Sequence, residues 1–129
     1  MSASLVSKLQ LKPGQSLTLL GTPQGLAEYL AAEMPDLALG EHAEPDAMLA
    51  FVTSKADAVH LAQQAFSRVA AGGLAWIAYP KMSSGVATDL NRDSLWEALM
   101  PTGWRPVRQI ALDDTWSAIR FRPSDEVGR

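Results

Sequence analysis

The chain has 129 residues, 47% of them hydrophobic and 19% charged, with a net charge of −3. That length suits a single domain over 1–129 with its own core, and the absence of cysteine excludes disulfides, cysteine metal sites and thiol nucleophiles. The N-terminus MSASLVSKLQ lacks the apolar core of a signal peptide and no run is long enough to span a membrane, so a cytoplasmic location is expected.

SLTLLG (16–21) reads as a short buried strand. Thr22 and Pro23 fit the N-cap and first position of a helix, which carries Leu26, Tyr29 and Leu30 and ends before Pro35. Residues 35–46 are a turn-rich connection with a brief extended piece at 37–39. AMLAFV (47–52) is a second apolar strand. Ser54 followed by Asp57 makes a capping-box-like start to a helix whose apolar face is Val59, Ala62, Phe66 and Val69, and Gly72-Gly73 ends it. LAWIAY (74–79) is the third strand. Asn91 is the expected N-cap of a helix over roughly 92–100, with Leu90 and Leu95 as a hydrophobic staple and Pro101 to Gly103 as its stop. RPVRQIAL and TWSAIRFR flank Asp113-Asp114 as an antiparallel hairpin.

Strands alternating with helices and closing on a hairpin predict an α/β fold. The expected architecture is a mostly parallel, five-stranded Rossmann-like sheet with a C-terminal antiparallel hairpin and the main helices on one face. LAWIAY is apolar on both faces, and such strands are covered on both sides. The candidates for the second cover are the N-terminal segment (Leu5, Val6, Leu9, Leu11), the 35–46 connection, or a second copy of the chain. A homodimer through the sheet face that the helices leave open is the favoured expectation.

The loop after LAWIAY gathers Lys81, Asp89, Asn91, Arg92 and Asp93 beyond the carboxyl end of a strand, where α/β sheets bind ligands. Lys81 and Arg92 suit an anion near a helix N-terminus, and Asp89 or Asp93 suits acid–base work. The competing structural reading has Asp89 or Asn91 capping the helix, Asp93 complementing its dipole and Lys81 solvated. The Gly21–Gly25 turn suits either a phosphate cradle or a plain helix start. His42 and His60 have no partner histidine at ligand spacing, so no metal is expected. Asp113-Asp114 fits turn chemistry, and no Ser-His-Asp set exists, so no catalytic residue is assigned. Arg120 and Arg122 share a strand face with Trp116, as an anion or dimer surface or as guanidinium stacked on indole. Residues 1–60 carry seven acids and three bases, and 61–129 seven acids and eight bases. That balance predicts no nucleic-acid partner.

The order of elements resembles the Rossmann-like S-adenosylmethionine-dependent methyltransferases. LQLKPGQSLTLLGTPQG is similar to their opening strand and glycine loop, and DAMLAFVTS…LAQQAFSRVAAGGLAWIAYPK to their fourth strand, helix and fifth strand. GWRPVRQIALDDTWSAIRFRP is similar to their terminal hairpin. The chain resembles more closely a family of small bacterial domains of unknown function, sharing Gly72, Gly73, Trp76, Pro80, Lys81, Trp116 and Ser117. Against the methyltransferase pattern, Pro23 removes a donor from the glycine turn. The acidic residue expected for the ribose has only Glu41 or Glu44 as candidates, both in a loop. With two strands missing from that half, the strand reversal that creates the crevice is expected to be lost. These departures imply no retained cofactor and a non-catalytic binding or self-associating module on a degenerate scaffold. The alternative is a small-anion or nucleotide-like ligand at the 80–93 loop.

Overall fold

The computed structural model describes residues 5–70, 72–81, 84–86 and 88–124. Its elements are α1 (Leu5–Lys8), β1 (Ser16–Leu20), α2 (Leu26–Glu33), β2 (Ala38–Leu39), β3 (Ala47–Phe51), α3 (Lys55–Arg68), β4 (Leu74–Pro80) and α4 (Arg92–Leu99). A 3-10 turn at Met100–Thr102 leads into β5 (Trp104–Ala111) and β6 (Trp116–Pro123). One sheet holds all six strands in the order β2-β1-β3-β4-β6-β5. The first four are parallel, while β6 runs antiparallel to both β4 and β5. The α/β class, the parallel sheet and the terminal hairpin are as the sequence predicts.

Three parts of the expected architecture change. The brief extended piece is a sixth strand, β2, joined to β1 through Ser16↔Ala38 and Leu17↔Leu39. It lies on the side of β1 away from β3, so the strand order does reverse between β1 and β3. The helices also occupy both faces of the sheet. The β1-α2-β2 crossover and the β3-α3-β4 crossover step in opposite directions, so one handedness puts their helices on opposite sides.

On one face, Leu5, Leu9 and Leu11 of the N-terminal segment join Leu30 and Met34 from α2 and its end. They cover Leu17, Leu49, Phe51, Trp76 and Ala78. On the other, Ala58, Ala62, Ala65 and Phe66 of α3 with Leu95 and Leu99 of α4 cover Met48, Ala50, Ala75, Ile77 and Tyr79. The sheet face assigned to a homodimer contact is therefore filled by the chain's own N-terminal segment and α2. The need that called for a second copy there is met from within.

Local chemistry explains these element boundaries. Ser54 Oγ accepts from Asp57 N–H (3.1 Å) at the start of α3. Asn91 and Ser94 form a reciprocal capping box on α4, with Leu90 and Leu95 both buried beside it. The start of α2 is later than Thr22-Pro23 predicts. The Leu26 N–H donates to the Pro23 carbonyl (3.1 Å), closing a turn first, and Gly25 at φ +85° is the N-cap. Gly73 sits where β4 begins, and a Cβ there would fall 2.6 Å from the Asp46 carbonyl oxygen and 2.8 Å from that of Ala70. Among the described residues no helix is long and apolar enough to cross a membrane.

Trp76 holds the N-terminal cover in place. Its ring is fully buried and its Nε1–H donates to the Leu9 carbonyl at 3.1 Å. Trp76→Phe leaves that carbonyl buried without a donor, and a loss of about 1–3 kcal/mol is expected in urea denaturation. Leu9→Ala should cost about 2–5 kcal/mol. Unchanged midpoints in both variants would show that the segment does not secure this face.

Candidate functional site

The carboxyl ends of the parallel strands, beside the reversal between β1 and β3, form the position where open α/β sheets take ligands. Four segments meet this edge: the Gly21–Gly25 turn, Thr53-Ser54, the loop after Pro80, and the hairpin turn between β5 and β6.

Lys81 donates through Nζ to the Asp113 carbonyl (2.7 Å) and through its backbone N–H to the Thr115 carbonyl (2.8 Å). It is tied to the hairpin turn rather than solvated. Asp89 accepts the Lys55 N–H on Oδ1 (3.0 Å), which satisfies a free donor at the start of α3. Thr88 beside it donates to the Thr53 carbonyl (2.6 Å). Asn91 accepts the Ser94 N–H (2.8 Å) as the N-cap of α4. Asp93 lies in the first turn of that helix, where a carboxylate complements the dipole. Arg92 makes no hydrogen bond or ion pair with the described residues and lines a small cavity of about 150 Å³ with Arg108 and Gln109. Lys81, Asp89 and Asn91 thus bond to three different partners instead of converging. A shallow depression of about 270 Å³ remains beside Val86, Thr88, Asp89, Leu90 and Asn91.

Gly21 has φ +64° and ends β1 against the next strand. A Cβ there would lie 2.8 Å from the Phe51 carbonyl oxygen and 2.9 Å from Leu61 Cδ1, so the chain itself occupies that side of the glycine. Gly25 faces open space. Phe51 and Trp116, at the same edge, meet edge-on at 5.2 Å and are both buried.

Glu41 follows β2 by two residues. Because β2 pairs only with the start of β1, the chain leaves the sheet before reaching the carboxyl edge. The Gly40 carbonyl accepts from buried Thr18 Oγ1 (2.9 Å), and Glu41 turns to Arg68 at the last turn of α3 (3.0 Å). An antiparallel crossover helix ends at the amino edge, so this ion pair takes Glu41 away from the crevice. His42 Nε2 contacts the Ala38 carbonyl and His60 contacts Gln64. No group of three or more metal-ligating side chains occurs among the described residues.

Two phenols titrate abnormally. Tyr79 is 5% exposed, and burial raises its pKa above the ordinary value, opposed by Arg92, by Gln109 and by Ser117. Gln109 Nε2 donates to its oxygen at 2.9 Å. Tyr29 on α2 is raised by desolvation first and then by Glu33, Asp113 and Asp114. Those carboxylates make the α2 side of the carboxyl edge acidic.

No family model matches the chain, and no curated protein matches it either. Solved structures do. The ribosomal protein L11 methylase of Lactobacillus delbrueckii subsp. bulgaricus superposes with a TM-score of 0.57 at 14% identity, over 92% of this chain and 74% of that one. Aeropyrum pernix fibrillarin, solved with S-adenosyl-L-methionine, gives 0.54 at 14% identity, over 92% and 72%. The O-methyltransferase NcsB1 from neocarzinostatin biosynthesis gives 0.63 at 10% identity, over 85% of this chain and 49% of that one. The chain has a methyltransferase-like fold. It spans about three quarters of the first two proteins and half of the third.

Within this methyltransferase-like fold, Gly73, Trp76, Pro80, Lys81, Trp116 and Ser117 have packing tasks. Gly73 admits the Asp46 and Ala70 carbonyls, Trp76 anchors Leu9, and Pro80 pairs with Trp116 across β4 and β6. Lys81 clamps the hairpin turn, Trp116 meets Phe51, and Ser117 pairs with Tyr79. The pattern is a folding signature centred on β4.

The sequence reading missed an apolar groove of about 460 Å³ between α3 and α4. It is lined by Val59, Gln63, Phe66, Ser67, Ala98, Pro101, Thr102 and Trp104. Phe66 and Trp104 stack in parallel at 4.3 Å along one wall. Trp96 (40% exposed) and Met100 (57% exposed) stand nearby in the open. The available signal was their i, i+4 spacing, about 100° round the helix from Leu95 and Leu99.

Asn91→Ala should cost about 1 kcal/mol through the lost cap, read as a lower thermal midpoint. The raised phenol pKa of Tyr79 has a definite sign. Its stabilising contribution is complete below the unfolded tyrosine value of about 10 and is lost as pH rises through the higher folded value. Denaturation midpoints should therefore fall at pH values above about 10, and less steeply in Tyr79→Phe; equal slopes would remove this residue from the pH response.

Proposed function

We propose that the chain is a binding domain built on a methyltransferase-like scaffold and does not itself transfer methyl groups. The observation that carries this reading is the short β2. A two-residue strand ends before the carboxyl edge, and the acidic residue that follows it, Glu41, is spent on Arg68. The open side of Gly21 is filled by Phe51 and Leu61, which supports the same reading.

Binding falls to the exposed apolar surface formed by Val59, Trp96, Met100 and the Phe66–Trp104 groove. Apolar patches of this kind, rimmed by polar groups, mark protein contacts. The occupant is another protein or a second copy of the chain. In sedimentation, a concentration-dependent dimer dispersed by Met100→Glu identifies the second copy, and a monomer throughout identifies another protein.

A second reading, a small anion at the 80–93 loop, is favoured by one observation: Arg92 lies beside the 150 Å³ cavity with no hydrogen bond or ion pair to the described residues. Phosphate or a nucleotide would then raise the melting temperature in the wild type and not in Arg92→Ala.

Ligand at a hundred times its Kd adds about 2.7 kcal/mol, on the order of 10 °C for a domain of this size. Millimolar S-adenosylmethionine should leave the melting temperature unchanged. A rise of several degrees would overturn the non-catalytic reading.

A further inference from the structure

The β5–β6 hairpin places arginines opposite one another. Arg108 pairs with Arg120 and Arg105 with Arg122 in the antiparallel register. Residues directly opposite share a face, and the face is fixed by Trp76, which lies opposite Arg120 on β4 and bonds Leu9 on the α1 side. Arg120 Nη1 donates to Gln10 Oε1 (2.8 Å) and Lys8 Nζ reaches the Ala111 carbonyl (3.5 Å), both on that side. Arg105 and Arg108 are exposed. The α1–α2 layer packs over β1, β3, β4 and the first half of β6, so it leaves Arg105 and Arg108 uncovered beside the partly buried Arg120.

This arrangement works against the fold. Like charges directly opposite on neighbouring strands are destabilising. Burial, then Arg122 and Arg108, hold the Arg120 pKa below its ordinary value. Its Nε is buried without a hydrogen-bond partner, and its Nη1 donates to a neutral amide. Arg68–Glu41 is the ion pair found among the described residues, so no described carboxylate neutralises Arg105, Arg108 or Arg120. Protection of a sheet edge by charge accounts for arginines on β5, which is the edge strand. It does not account for Arg120, which sits on the interior strand β6.

We propose that this α1-side face of the β5–β6 hairpin binds the phosphodiester backbone of a nucleic acid, without reading its sequence. Guanidinium is the side chain best matched to phosphate, through paired N–H donors. Side chains two apart along a strand and directly across it repeat at regular intervals, which suits an anion that also repeats. Exposed guanidinium groups spread along a hairpin suit an extended chain better than a small molecule. The site is electrostatically segregated: Glu33, Asp113 and Asp114 gather around Tyr29 at the other end of the hairpin, where an anion would be repelled. The overall balance of acids and bases conceals this because it averages over the two ends. The inference is independent of the α3–α4 groove.

The test is fluorescence anisotropy with labelled 20-nucleotide DNA and RNA, single-stranded and duplex, at low salt. Arg105→Gln, Arg108→Gln and the double variant are compared with Lys55→Gln as a charge-matched control. The expected result is binding that weakens with salt. Each arginine variant should weaken it by about 3- to 10-fold, equally for all sequences, and lower the salt slope by about 0.7 to 0.9. Arg108→Gln should also melt at the same or a higher temperature than the wild type, because it relieves repulsion, whereas a purely structural arginine would lower it. No binding at low salt, binding undiminished in the double variant, or binding of tripolyphosphate but of no oligonucleotide would each overturn the proposal.

Discussion

The fold depends on covering both faces of β4. A central strand that reads Leu-Ala-Trp-Ile-Ala-Tyr exposes apolar side chains in both directions, and every one from Ala75 to Tyr79 is buried. The helices α3 and α4 cover one face by ordinary amphipathic packing. The other face relies on a four-residue helix and the chain around it, too short to be stable alone. The indole hydrogen bond from Trp76 to Leu9 compensates for that brevity, because it fixes the segment at the one point where it crosses the buried strand. The residues around β4 that looked like a family signature are arranged to serve this packing.

The second constraint is the length of β2. A strand of two residues restores the reversal of strand order but does not carry the chain to the carboxyl edge. The topology of a ligand crevice is therefore present, while Glu41, one of the two candidate acids that follow β2, is paired with Arg68 on α3. The connection of Gly40 to buried Thr18 and the pull of Arg68 both draw the chain back across β1.

Much of the architecture was legible in the sequence because it is local. Ser54 and Asn91 announce α3 and α4 through caps that need only the next three residues, and the strands declare themselves by composition. What was hidden is non-local. Two residues of β2 carry no periodicity, so nothing in Ala38–Leu39 tells which side of β1 they will join, and with that choice go the strand reversal and the side of the sheet that α2 covers. Pro23 suggested a helix start, but its carbonyl was taken first by the Leu26 N–H, and the start moved to Gly25. The sequence gathers the candidate residues after Pro80 into one loop. It could not show that Asp89 would cap a helix 34 residues earlier, nor that Lys81 would reach the hairpin turn. The cross-strand register of Arg108 with Arg120 is invisible for the same reason.

Both margins of the sheet refuse another strand. On one side β2 offers only two residues to pair with. On the other, β5 carries Pro106, which has no N–H to give, and the register shifts between Pro106 and Arg108, which breaks the regularity that a further strand would require. Growth by strand addition, the usual hazard of an open sheet, is hindered by the same residues that shape its outer strands.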